Sequence, residues 1–140
     1  MNVVIDTSVW SLGLRRKHES LNPIERRIVS ELTELVREGR VRILGLVRQE
    51  LLSGIKTPEQ YETLRTRISF FPDEPVDTSD HEDAARFSNQ GRSKGVVITI
   101  VDALICAVAI KRQWSIMTTD PDFSTFAKVI PLALHAPRES

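Results

Sequence analysis

Val3-Val4-Ile5-Asp6-Thr7-Ser8 is the stretch from which the rest of the chain can be read. Three β-branched residues in succession leave no wet face, so they specify a short strand covered on both sides. An aspartate stands where that strand ends, followed by two hydroxyl residues. In an open α/β sheet, ligands bind beyond the carboxyl ends of the strands. The questions of fold and of function therefore meet at Asp6.

Working outward, further strands are expected at Val41-Arg42-Ile43-Leu44, at Trp114 to Met117, and at Val129-Ile130, where Pro131 suits an edge. Helical segments separate them. Asn22, Pro23 and Glu25 form an N-cap, first-turn proline and capping-box acid, and Ile24, Ile28, Val29, Leu32, Leu35 and Val36 recur at helical spacing up to Gly39. Leu46 to Ser53 reads as two helical turns ending at Gly54, and Thr57-Pro58 opens another helix with Tyr61, Leu64 and Ile68 on one face. An acidic helix starts after Ser79 or Asp80, and Asn89 to Gly95 reads as a turn-rich interruption. Thr99 then caps an apolar helix with Asp102 at its third position. Strands alternating with helices predict an α/β fold with a mainly parallel sheet. A single domain over residues 1–140 is expected, with its core at about 3–132 and a short C-terminal tail.

The chain has 140 residues, 41% of them hydrophobic, enough apolar surface for one core. No apolar run is long enough to span a membrane, and the amino terminus resembles no cleavable leader, so a cytoplasmic protein is expected. One cysteine, Cys106, permits no internal disulfide and no zinc cluster; on an apolar helix face it reads as core. Nineteen basic and nineteen acidic side chains cancel, but residues 1–70 carry 12 basic and 9 acidic while residues 71–140 carry 7 and 10. A basic rim beside an acidic pocket is compatible with that balance.

Four carboxylates stand out. Asp6 and Asp120 follow strands, Asp102 interrupts an apolar helix face, and Glu50 shares a face with Leu46 and Val47. Each has an ordinary explanation: Asp6 caps the Thr7-Ser8 turn, Asp102 closes a capping box, Glu50 pairs with Arg48 or a distant arginine, Asp120 caps the helix near Pro121. Together at one sheet edge they repel one another unless a hard cation neutralises them. An all-oxygen donor set suits Mg²⁺ or Mn²⁺. His18, His81 and His135 lack metal-ligand spacing and are expected on the surface. Trp10 and Trp114 have apolar neighbours and are expected in the core.

The segments Val4-Ile5-Asp6-Thr7-Ser8-Val9-Trp10, Arg48-Gln49-Glu50-Leu51-Leu52-Ser53-Gly54, Asp102-Ala103-Leu104-Ile105-Cys106-Ala107 and Thr118-Thr119-Asp120-Pro121-Asp122-Phe123, in this order, resemble the signature of PIN-domain ribonucleases, and most of all the VapC-type toxins of toxin–antitoxin pairs. The resemblance implies a three-layer α/β/α domain whose acidic pocket holds one or two Mg²⁺ or Mn²⁺ ions. It implies that Asp6 and Asp102 are the principal ligands and that Glu50 and Asp120 complete the quartet. Thr118, with Thr7 and Ser8, matches supporting hydroxyl positions, and Asp122 competes with Asp120 for the fourth role. The implied activity is metal-assisted hydrolysis of RNA by water; the sequence offers no histidine pair to activate a 2′-hydroxyl, so 5′-phosphate and 3′-hydroxyl ends are expected. The implied partners are an RNA substrate, a VapB-type antitoxin docking on the helices Leu46–Gly54 and Pro58–Phe70, and a second copy of the chain.

Arg15, Arg16 and Lys17 are candidates to grip RNA phosphates, with a solvated loop as the ordinary alternative. Two other functions share the fold class. A receiver-type phospho-acceptor domain needs an aspartate doublet after the first strand, where this chain has Asp6 alone. A catalytically silent PIN-fold module for binding protein or RNA would not need all four acids.

Overall fold

A computed structural model describes residues 1–138 of the chain; Glu139 and Ser140, the end of the expected tail, lie outside the described residues. Strand β1 (Val3–Ile5) is central, flanked by β2 (Val41–Arg42) and β3 (Ser115–Met117). Both pairings are parallel, with Val3 opposite Val41 and Ser115 and Ile5 opposite Met117. Every residue of β1 is buried, so both faces of the sheet are covered, as an unbroken β-branched run demands. Helices α5 (Thr78–Ser93) and α6 (Ile100–Arg112) pack on each other, and α6 lies against β1 and β3. Helices α1 (Thr7–Leu14), α2 (Pro23–Arg37), α3 (Gly45–Leu52) and α4 (Pro58–Ile68) form the other helical group, and α7 (Asp122–Phe126) follows β3. The result is a three-layer α/β/α arrangement with a parallel sheet.

The helix signals are realised in hydrogen bonds. Asn22 Oδ1 accepts from Glu25 N at 2.8 Å and Glu25 Oε1 accepts from Asn22 N at 3.0 Å, a closed capping box. Thr57 caps α4 through Gln60 N at 3.1 Å. Helix α2 buries Leu32 and Leu35, but Ile24 and Val36 of its expected stripe are exposed. The core gathers Trp10, Ile5, Leu35, Ile43, Leu51, Ile105, Cys106, Ile116 and Phe123 between the layers.

Five local expectations are corrected. The chain does not turn at Thr7-Ser8 but is helical at once: Thr7 to Leu14 form α1, which buries Val9, Trp10 and Leu12. The interruption at Asn89 to Gly95 is helix as far as Ser93. Gly91 sits inside α5 because the returning chain crosses there; an added Cβ would lie 2.9 Å from the Val96 carbonyl and 3.0 Å from Ile98 Cδ1. Glycine at that point serves close approach, and its sequence signature is the same as a turn's. Val129-Ile130 is no strand. The chain closes in turns after α7, with Ile130 N on Phe126 O at 2.9 Å, and joins β3 later, where His135 N donates to Ile116 O at 2.8 Å. The second strand stops at Arg42, since Ile43 bridges to Asp73 instead. Finally, His135 is not a surface residue: its Nε2 lies 2.5 Å from Glu31 Oε2, and Arg138 binds Glu31 and Glu38 together, fastening the tail to α2. No helix among the described residues is long and apolar enough to cross a membrane.

Candidate active site

Asp6 is placed by the β1 ladder at the carboxyl edge of the sheet, where its backbone N donates to Met117 O at 3.0 Å. It occupies the N-cap position of α1, yet its carboxylate caps nothing. Instead Asp6 Oδ2 accepts from Ser8 Oγ at 2.8 Å and from Thr118 Oγ1 at 2.8 Å. Ser8 Oγ accepts in turn from Thr119 N at 3.0 Å, and Thr118 Oγ1 from Asp120 N at 3.0 Å. These bonds stitch the start of α1 to the segment leaving β3. Both hydroxyls use the same oxygen, and no donor meets Asp6 Oδ1 among the described residues.

Glu50, near the end of α3, accepts from Thr7 Oγ1 at 2.6 Å and stands exposed. It does not pair with Arg48. That guanidinium is taken by Asp73 at 2.8 Å and by the carbonyls of Ile68 and Phe71. Asp102 is held by α6, whose N-cap Thr99 accepts from Asp102 N at 3.3 Å. Among the described residues the reciprocal bond, Thr99 N donating to the Asp102 carboxylate, is absent, so the capping box stays open on that side.

Asp120 Oδ1 accepts from Asp122 N at 2.9 Å, so Asp120 caps the turn into α7 in part. Asp122 itself points its side chain to solvent.

Electrostatics ties the four together. Burial, then the charge of Asp6, then those of Asp120 and Glu50, push the Asp102 carboxyl up to about 6, against a partial offset from the Thr99 hydroxyl. No ion pair among the described residues involves Asp102. Burial, then the charges of Asp102 and Asp6, push the Cys106 thiol far above its ordinary range, leaving it an inert core residue. Among the described residues no three of these side chains already form a tight coordination shell. Asp6, Glu50 and Asp120 are each held by a hydroxyl or backbone donor, and their charges act on Asp102.

The expected basic grip divides. Arg16 is committed to Glu25 at 2.9 Å, Lys17 precedes the short 3-10 turn at His18–Ser20, and Arg15 lines a groove between the end of α1 and α4. Lys56 and Arg67 share that groove and carried no sequence signal, since an exposed cation has no periodicity. The apolar side chains expected to make a docking surface on α3 and α4 are largely spent inward: Val47, Leu51, Leu64 and Ile68 are buried, leaving Tyr61 and Phe70 outside.

Comparison with known proteins shows the family and the fold. The PIN domain family model matches residues 3–129. A VapC ribonuclease, Mb1587 of Mycobacterium bovis, is 30% identical over 133 residues, covering 93% of this chain and 95% of that protein. The crystal structure of FitAcB from Neisseria gonorrhoeae superposes with a TM-score of 0.75 at 22% identity, over 96% of this chain and 97% of that one. VapBC2 from Rickettsia felis, solved bound to a DNA fragment from its promoter, gives 0.72 at 18% identity, over 96% and 98%. At those identities the two structures speak for the fold alone. A strand-end Asp6 and an open-boxed Asp102 thus sit in a chain that the family model spans almost from end to end, and the chain belongs to the PIN domain family.

Proposed function

We propose that the chain is a VapC-type endoribonuclease, the toxin of a toxin–antitoxin pair, acting in the cytoplasm. Its reaction is hydrolysis of RNA phosphodiester bonds at the pocket of Asp6, Glu50, Asp102 and Asp120. The observation that carries this reading is Asp102, a half-buried carboxylate on α6 that feels the charges of Asp6, Asp120 and Glu50 and makes no ion pair among the described residues. Bare negative charge there would repel a phosphodiester, so the pocket suits a cation, and the VapC relative and the family give the chemistry its direction.

The residues fit a hard divalent ion. All the donors are oxygens, Asp6 keeps Oδ1 free of hydrogen bonds, and Asp102 lacks any counter-charge. Asp6 and Asp102 are the principal ligands of one or two Mg²⁺ or Mn²⁺ ions, with Glu50 and Asp120 completing the set directly or through water. When bound, such an ion supplies a Lewis acid that lowers the pKa of a water and offsets charge on the phosphate.

The remaining work falls to the chain itself. Ser8 and Thr118 lock the Asp6 carboxylate in one orientation, and Thr7 does the same for Glu50. Asp120 or Glu50 orients the attacking water and takes its proton. Asp122 stays outside this set. The three histidines are elsewhere, with His135 held on Glu31, so no imidazole pair stands ready to activate a 2′-hydroxyl. The products are therefore 5′-phosphate and 3′-hydroxyl ends. A homodimer and a cognate VapB-type antitoxin complete the reading.

The receiver-type alternative falls with membership of the PIN family. The silent-module alternative is separated by assay. Purified chain with Mn²⁺ or Mg²⁺ should cleave cellular RNA, and Asp6→Asn or Asp102→Asn should not. Full cleavage by either variant or in excess chelator, or 2′,3′-cyclic phosphate ends, would overturn the reading.

A further inference from the structure

We propose that the groove between the end of α1 and α4 carries the phosphodiester backbone of the RNA strand beside the scissile bond, gripped by Arg15, Lys56 and Arg67. The groove has a volume of about 480 Å³, and one wall is apolar, from Leu14, Ile55 and Leu64. Three cations line it against one acid, Glu59. Nearby arginines are already neutralised, Arg16 by Glu25 and Arg65 by Glu62. The three groove cations make no such pairs among the described residues. Arg67 is pre-positioned by donating to the Leu14 carbonyl at 2.9 Å, which leaves the rest of its guanidinium free.

Location links the groove to the acids. Helices α1 and α3 pack together, and Thr7 and Glu50 are bonded where they meet the acidic pocket. Followed along the chain, the same two helices lead to Leu14-Arg15 and to Gly54-Ile55-Lys56, the groove's walls. At 1.5 Å per residue the eight residues of α1 span about 12 Å, on the order of three nucleotides of strand. A polyanion drawn to a pocket of four carboxylates needs compensating positive charge close by, and this groove supplies it. An acidic peptide would find the same cations, and the test below separates the two.

This assignment rests on the pocket being the RNA-cleaving centre, so its test separates the two. Binding of a 20-nucleotide single-stranded RNA to the full chain is measured in chelator, across a salt series, for wild type and for Arg15→Gln/Lys56→Gln. Removing two phosphate contacts should weaken binding about ten-fold at low salt and make the plot of log affinity against log salt shallower by about 1.4. Glu59→Gln should tighten binding by about two-fold. All these side chains are exposed, so the variants should fold, and their thermal melts should match the wild type's. Unchanged affinity and slope would overturn the proposal. So would unchanged RNA binding with lost affinity for a poly-glutamate peptide, which would make the groove a peptide site. A chain that binds RNA through these cations but cleaves none refutes the nuclease reading and leaves the groove standing; an active nuclease with an unaltered slope does the reverse.

Discussion

Asp80 and Asp102 are the third residues of two helices that pack against each other, α5 and α6. Both follow a side chain that caps the helix, and both read alike in the sequence. Asp80 closes its box, donated to by Asp77 N at 3.0 Å, and receives Arg112 at 3.0 and 3.1 Å with Lys111 at 3.7 Å. Those guanidinium bonds hold its carboxyl down to about 2 although the side chain is buried. Asp102 leaves its box open, meets no cation, and is pushed up to about 6. The fold thus supplies a counter-ion to a buried acid of its core and withholds one from an acid of its pocket. Uncompensated burial is costly, and a fold that tolerates it has a use for the charge.

The largest expected effect breaks the pair apart by function. Asp102→Asn should lower RNA cleavage by about a thousand-fold, roughly 4 kcal/mol in the barrier, with the fold intact. Asp80→Asn should leave cleavage within a few-fold wherever the protein is folded. Equal losses in both would erase the distinction. Next in size is the counter-ion itself. Arg112→Met leaves Asp80 buried with only Lys111 near, and should cost about 3 kcal/mol in denaturant unfolding. The corresponding experiment at Asp102 is to add a cation. At 100 times its dissociation constant, Mn²⁺ should raise stability by about 2.7 kcal/mol in the wild type and in Arg112→Met, and not in Asp102→Asn. A gain retained by Asp102→Asn would place the ion elsewhere.

The contrast also marks how far the sequence could be read. The β-branched run of β1, the capped starts of α2 and α4 and the apolar face of α6 are local signals, and each appears where it is expected. Asp6 at a strand end was legible for the same reason. What differs between Asp80 and Asp102 lies at long range. Arg112 reaches Asp80 across 32 residues of chain, and Thr118 reaches Asp6 across 112. No window of sequence contains such pairs, so nothing local marks Asp80, expected only to stand at the start of its helix, as the ion-paired acid and Asp102 as the unpaired one. Gly91 failed for a related reason, because its neighbours Val96 and Ile98 come from the returning chain. The tail differs in the same way: the run at Val129-Ile130 has the local pattern of a strand, while the pairing with β3 falls at Leu134 and is supported by the Glu31, His135 and Arg138 cluster.

Acidity should separate the two aspartates by sign, at about 2 kcal/mol each, the smallest effect of the series. Asp80 is more acidic folded than unfolded, so its contribution is complete above about pH 4 and is lost as the pH falls through 2. Glu31 and Glu38 add to the same loss: burial pushes Glu31 up but its bonds to His135 and Arg138 prevail, and Arg138 holds Glu38 at about 2. Asp102 is less acidic folded than unfolded. Its contribution is complete below about pH 4 and is lost as the pH rises through 6, where a proton ceases to do what a cation would. Unfolding free energies measured in chelator from pH 2 to pH 8 should therefore bend in opposite directions in the two windows. Asp102→Asn should flatten only the window between pH 4 and 6, and Asp80→Asn should shrink only the acid limb. If Asp102→Asn left the upper window unchanged, the carboxylate would be solvated after all, and burial without a counter-ion would no longer distinguish the pocket from the core.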